Sequence, residues 1–162
     1  MYLGFSWTGF VVFLLPMIIN VPFCAISDNQ GKNNKAEKKT SSGLESLEKA
    51  SRSLYAISLC ILISGKQIDY LSPLMFVAAL FLILYTATWI RYYRNGCDRK
   101  LLKESFLCVP MPLVIFPLVY FVLASIWMNN LISLAFLIPF AIAHGIVSYH
   151  NLIEKEKSKK GS

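Results

Sequence analysis

The sequence is short of charge. Only 15% of its 162 residues are charged, against about a quarter in an ordinary soluble domain. Acids are the scarcer sign, with 9 Asp and Glu to 16 Lys and Arg. Three stretches carry no charge at all: the 27 residues Met1 to Ser27, the 21 residues Tyr70 to Ile90, and the 49 residues Ser105 to Ile153. Catalytic and ligating side chains are also sparse. There are two histidines, and the four cysteines at 24, 60, 97 and 108 form no C-x-x-C pair, which argues against a disulfide framework and a zinc site. No Gly-rich phosphate loop, nucleophile elbow or H-E-x-x-H occurs. The reading is therefore non-enzymatic, with no catalytic residue, metal or cofactor assigned and no nucleic-acid partner.

What is present is apolar. Hydrophobic residues make up 56% of the chain and the mean hydropathy is +0.53, so disorder is excluded as the main state. A soluble domain of this size could not hide so much apolar surface, because small domains bury the smaller fraction of theirs. A membrane-crossing helix needs about 20 mostly apolar residues. On that measure the sequence predicts an all-α membrane protein, a bundle of five transmembrane helices near 3–25, 48–65, 70–90, 106–127 and 130–150. They form a single transmembrane domain over 1–153, followed by a basic tail, 154–162. The first segment reads as a retained helix, since no basic residue precedes its apolar run. The longest uncharged stretch is divided by a turn at Trp127-Met128-Asn129-Asn130. The second helix is the shortest in apolar residues, and a four-span alternative leaves it lying on the surface. Ser42-Gly43-Leu44-Glu45 has the form of a capping box ahead of it. Residues 28–43 are polar and lysine-rich and read as a mobile loop.

On five spans, 15 of the 16 basic residues fall on one side and Lys66 alone on the other. The positive-inside rule then puts the N-terminus outside and the C-terminus in the cytoplasm of a multi-pass plasma-membrane protein. Trp7, Tyr70 and Trp127 form an outer aromatic belt; Trp89, Tyr92, Tyr93 and Tyr149 form an inner one. The partner implied is the lipid bilayer, with anionic lipids a candidate contact for the cytoplasmic Lys and Arg.

Polar groups gather near the inner end. Asn20, His144, Tyr85, Thr86 and Ser58 map to one layer as candidate ligand-binding residues. Pro22, Pro110, Pro112 and Pro139 are helix breaks that line the same pocket, since each proline frees the carbonyl four residues earlier. Two functional readings follow. In one, a cytoplasm-facing polar pocket binds or transports a small molecule, making the protein a candidate transporter. In the other, Asn20 and His144 bond across helices, and the protein is an accessory or interaction protein acting through helix packing and its basic face. Two small-residue seams, Ala56-x-x-x-Cys60-x-x-x-Ser64 and Ala141-x-x-x-Gly145, suit close helix contact within the fold or between copies.

The segments Met1-Tyr2-Leu3-Gly4-Phe5-Ser6-Trp7, Trp89-Ile90-Arg91-Tyr92-Tyr93, Pro110-Met111-Pro112, Phe116-Pro117 and His144-Gly145-Ile146 carry a resemblance. In them the chain resembles a family of small integral membrane proteins of Firmicutes. The resemblance implies a bacterial plasma membrane and assigns no activity. In that family Gly tends to precede the histidine, where this chain has Ala143. In size alone the chain is also similar to the tryptophan-rich sensory, or translocator-protein, family, whose tryptophan-rich motifs it lacks.

Overall fold

Five helices and one two-residue ladder make up the fold, seen in a computed structural model that describes residues 2–30, 42–96, 101 and 104–160. Side chains are described within 2–20, 43–96, 101 and 104–150. In chain order the elements are β1 (Tyr2–Leu3), α1 (Trp7–Gln30), α2 (Ser42–Ile61), β2 (Leu62–Ile63), α3 (Pro73–Arg94), α4 (Pro112–Trp127) and α5 (Leu131–Lys160). The all-α class expected from composition is what is observed. The span count is not. Among the described residues, only α3 and the Leu131–His150 part of α5 are by themselves long and apolar enough to cross a membrane. α4 is apolar but has 16 residues, the shorter apolar stretch of α1 is Trp7–Asn20, and α2 carries Glu45, Glu48, Lys49 and Arg52 within its first eleven residues.

The boundaries depart from expectation where backbone chemistry overrides hydropathy. α2 begins at Ser42, at the capping box, and stops at Ile61. Leu62 and Ile63 leave the helix because Leu3 and Tyr2 pair with them in an antiparallel register. The Gly4 N–H then donates to the Ile61 carbonyl at 2.9 Å and the Ser6 N–H to the Cys60 carbonyl at 2.7 Å. The last carbonyls of a helix have no partner within it, and here the chain's opening residues supply one. Ser64 therefore lies beyond the helix, so the seam expected from Ala56 to Ser64 is cut short. α4 begins at Pro112 rather than 106 because Val109 and Met111 each precede a proline, a position that disfavours helical backbone. Phe106 and Val109 instead bond to each other across a two-residue turn, with Leu107 and Cys108 both at positive φ, the arrangement of a type I′ turn. Pro112 is the first residue of α4, where its missing N–H costs nothing, so it frees no Cys108 carbonyl.

The segment 28–43, expected as one loop, is helical through Gln30 and again from Ser42. Residues 31–41 and 161–162 lie outside the described residues, as do the side chains of Pro22, Cys24 and Cys97 and of the basic tail. The turn at 127–130 is as expected: α4 ends at Trp127, α5 starts at Leu131, and Asn129 takes the left-handed conformation.

The helices run up and down, α2 packing most extensively on α5, α3 on α4, and α4 bridging the two pairs. α1 seats mainly against α2 and touches α3 and α4 thinly. The closest approach is at Gly9, buried in α1, where a Cβ would lie 2.0 Å from the Leu59 carbonyl oxygen. Gly145 is different, for a Cβ there would meet nothing within 4 Å. The close helix contact is at Gly9, outside both seams read from the sequence.

Candidate functional site

The residues expected to share one pocket are distributed over three places. Asn20 is the last residue of α1 whose side chain is described, and its Oδ1 accepts a 2.7 Å hydrogen bond from the Tyr85 hydroxyl of α3. Tyr85 is buried in an aromatic cluster with Trp89, Tyr92 and Phe116. His144 belongs to a second place. Its Nδ1 lies 2.8 Å from Glu48 Oε1 of α2, so with an ionised carboxylate Nδ1 carries the proton. Phe140, one turn earlier on α5, stacks on the imidazole at 5.4 Å between centroids. The Glu48 side chain is 15% exposed and that of His144 30%. Glu48 is not among the site residues expected from the sequence. A signal existed: Glu48, Ser51, Tyr55, Ser58 and Leu59 recur on one face of α2, and the last four are buried.

Ser58 lies in a third place, at the opposite end of the bundle. Because α2 is displaced toward the N-terminus, Ser58 sits near its end, 3.0 Å from the Ser133 hydroxyl of α5. Asn130 organises this region and is fully buried. Its Oδ1 caps α5 by accepting from the Ser133 N–H at 3.1 Å. Its Nδ2 donates to the Leu62 carbonyl at 3.0 Å and stands 3.4 Å from that of Ser58. The Tyr55 hydroxyl adds a 3.2 Å bond to Ser125. Thr86 joins none of the three places, for its hydroxyl bonds the Leu82 carbonyl of its own helix at 2.8 Å. Pro110 lies in the loop before α4 and Pro139 inside α5. Among the described residues, no group of three or more His, Cys, Asp or Glu converges on one point.

Among the described residues two cavities stand out, and Asn20, His144, Pro110, Pro112 and Pro139 line neither. The smaller, about 220 Å³, lies under the α2–α3 connection beside Lys66. The larger, about 420 Å³, is an apolar groove between α1 and α3 with α4 as its floor. It sits at the same end as Asn130. The Thr8 and Tyr70 hydroxyls close its near end, 3.3 Å apart. Trp127 borders it, its Nε1 held by the Asp69 carbonyl at 2.7 Å and its ring edge-on to Tyr70. On the floor, the Tyr120 hydroxyl donates to the Val12 carbonyl at 2.9 Å. Val12 is four residues before Pro16, so that carbonyl lacks its helical donor. Sequence reading had followed the carbonyls freed by Pro22, Pro112 and Pro139 and passed over this one.

No protein-family model, curated protein or solved structure matches the chain.

Proposed function

We propose that this is a non-enzymatic integral membrane protein, held in the bilayer by α3 and the Leu131–His150 part of α5 with the shorter apolar helices packed against them, the N-terminus outside and the C-terminus cytoplasmic. We further propose that it works as an accessory or interaction protein through its helix surfaces and basic inner face. The observation that carries the functional part is the closure of its polar groups upon one another. Asn20 is bonded to Tyr85 and His144 to Glu48, on different helix pairs, as expected when such residues fasten helices together. A cytoplasm-facing pocket for a small molecule would need both to face one water-filled space. The membrane placement rests on where the apolar residues point. Only 22% of the apolar window of α3 and 28% of that of α5 is buried inside the protein, and Ile57, Leu80, Ile83, Ile138 and Ile142 are exposed. In water such faces would drive association; in lipid they are solvated. The short motifs shared with small membrane proteins of Firmicutes support a bacterial plasma membrane, and anionic lipids suit the 15 basic residues of the inner side.

Two measurements test the proposal. In intact cells, a Lys66→Cys variant is expected to react with an impermeant maleimide and Cys97 only after permeabilisation; reaction of Cys97 from outside overturns the orientation. In a thermal-shift screen of detergent-purified protein against small polar metabolites, no compound is expected to raise the melting temperature through His144. A shift present in the wild type and lost in His144→Ala would restore the small-molecule reading.

A further inference from the structure

We infer that the groove between α1 and α3 is a binding site for one acyl chain of an outer-leaflet lipid. The inference rests on the membrane placement proposed above. Val11 and Leu15 form one wall, Met75 and Ala79 the other, and Ala124 and Trp127 part of the floor. Short side chains on a helix face ordinarily let a neighbouring helix close in. Here Ala79 and Ala124 line the groove, and α1 touches α3 only thinly. The two helices are tied instead at two levels, Thr8 to Tyr70 just ahead of α3 and Asn20 to Tyr85 near the middle of each helix. Those ties are 12 residues apart on α1, about 18 Å at helical rise. One leaflet of the hydrocarbon core is about 15 Å thick, half of the whole. The groove's own lining runs from Trp7 to Leu15 on α1, about 12 Å at helical rise, so the slot takes most of one lipid chain.

Its volume of about 420 Å³ is within the range of about 300–1,000 Å³ typical of sites that enclose a whole ligand. A void of that size is not left empty in a fluid bilayer, because its lining would forfeit dispersion contacts on one side. The polar groups at the groove bond one another or a carbonyl, as Thr8, Tyr70 and Tyr120 do, so the surface offered to an occupant is hydrocarbon. Branched or straight chains satisfy it alike, and a headgroup would project outward past the Thr8–Tyr70 tie toward the cleft beside Lys66.

Tryptophan fluorescence can test this, because the chain has three tryptophans in distinct settings. Both Trp127 and Trp7 border the groove, but Trp127 is 9% exposed and Trp7 72% exposed. Full-length protein carrying Trp7→Phe and Trp89→Phe reports from Trp127 alone, and Trp89→Phe with Trp127→Phe reports from Trp7. Both are reconstituted in vesicles of phosphatidylcholine brominated at mid-chain. Trp127 is expected to lose most of its emission, and groove-filling Ala79→Phe or Val11→Phe to restore most of it while the melting temperature holds. Val11 is half-exposed, so its enlargement keeps the test available if Ala79→Phe unfolds the protein. Quenching of Trp7 with Trp127 unaffected overturns the site while leaving the membrane placement standing. Loss of quenching at both tryptophans overturns the placement and the site together. Quenching of Trp127 that survives both filling variants overturns the site as well. So does a groove covered by a second copy, seen as a detergent-stable dimer whose Trp127 stays bright in brominated lipid.

Discussion

The two ends of the bundle are built by different rules. At the end holding the 127–130 turn, nearly every polar group is engaged in a shared network: Asn130 with Ser58, Leu62 and Ser133, Trp127 with Asp69, and the first strand with the last carbonyls of α2. At the opposite end the described side-chain bonds include Asn20 with Tyr85, Glu48 with His144 and Arg91 with Glu104, each between two side chains. A network loses several bonds when one member is removed, whereas a pair loses one. The first end should therefore control whether the fold forms, and the second should tolerate change.

The sharpest break in that comparison is expected from a pair of glycines. Gly9→Ala drives a methyl group into the Leu59 carbonyl, a backbone atom that cannot step aside, and is expected to cost about 3 kcal/mol, the upper part of the overpacking range. Gly145→Ala meets open space and is expected to stabilise by up to about 1 kcal/mol through helix propensity. Thermal unfolding in detergent compares them directly, and equal losses would remove the distinction between the ends. Next in size, Asn130→Ala deletes a helix cap and leaves two buried carbonyls short of a donor, an expected loss of about 2–3 kcal/mol. Its counterpart at the other end, Tyr85→Phe, removes one bond to Asn20 and is expected to cost about 1 kcal/mol. A larger loss for Tyr85→Phe than for Asn130→Ala would invert the comparison. The smallest effect sharpens it. Tyr120→Phe is expected to cost about 1 kcal/mol in the native background and less when Pro16→Ala has restored the helical donor to Val12. A double-mutant cycle measures the difference, and additive losses would show that Tyr120 does not serve that carbonyl.

Much of the architecture was legible in the sequence. The helical class, the number of helices and the turn after Trp127 follow from uncharged runs and their interruptions. Hydropathy could not show that α2 stops at Ile61, because Leu62 and Ile63 are as apolar as what precedes them. Their exit depends on Tyr2 and Leu3, some 60 residues distant in the chain. The start of α4 was readable in principle, since Pro110 and Pro112 bar helix at Val109 and Met111, but the apolar count was given priority over the proline rule. The candidate site was less legible. Depth along a helix was used to group polar residues, and depth says nothing about azimuth. Asn20 and His144 share an end but face different neighbours, and Ser58 was assigned to the wrong end through the boundary of α2. Glu48 escaped notice because a charged residue at a helix start reads as solvated. Its place on the buried face of α2, one turn before Ser51, was the better guide.

The bond from Tyr120 to Val12 joins residues 108 apart in the chain. Synthesis proceeds at about 5–20 residues per second, so the carbonyl that Pro16 leaves open waits on the order of 5–20 s for its donor. During that interval α1 is a helix with a missing rung. Its first strand also waits, for the residues at the end of α2. α1 is thus made before the other four helices yet is among the last to be finished, and its seating reports on the arrival of α4.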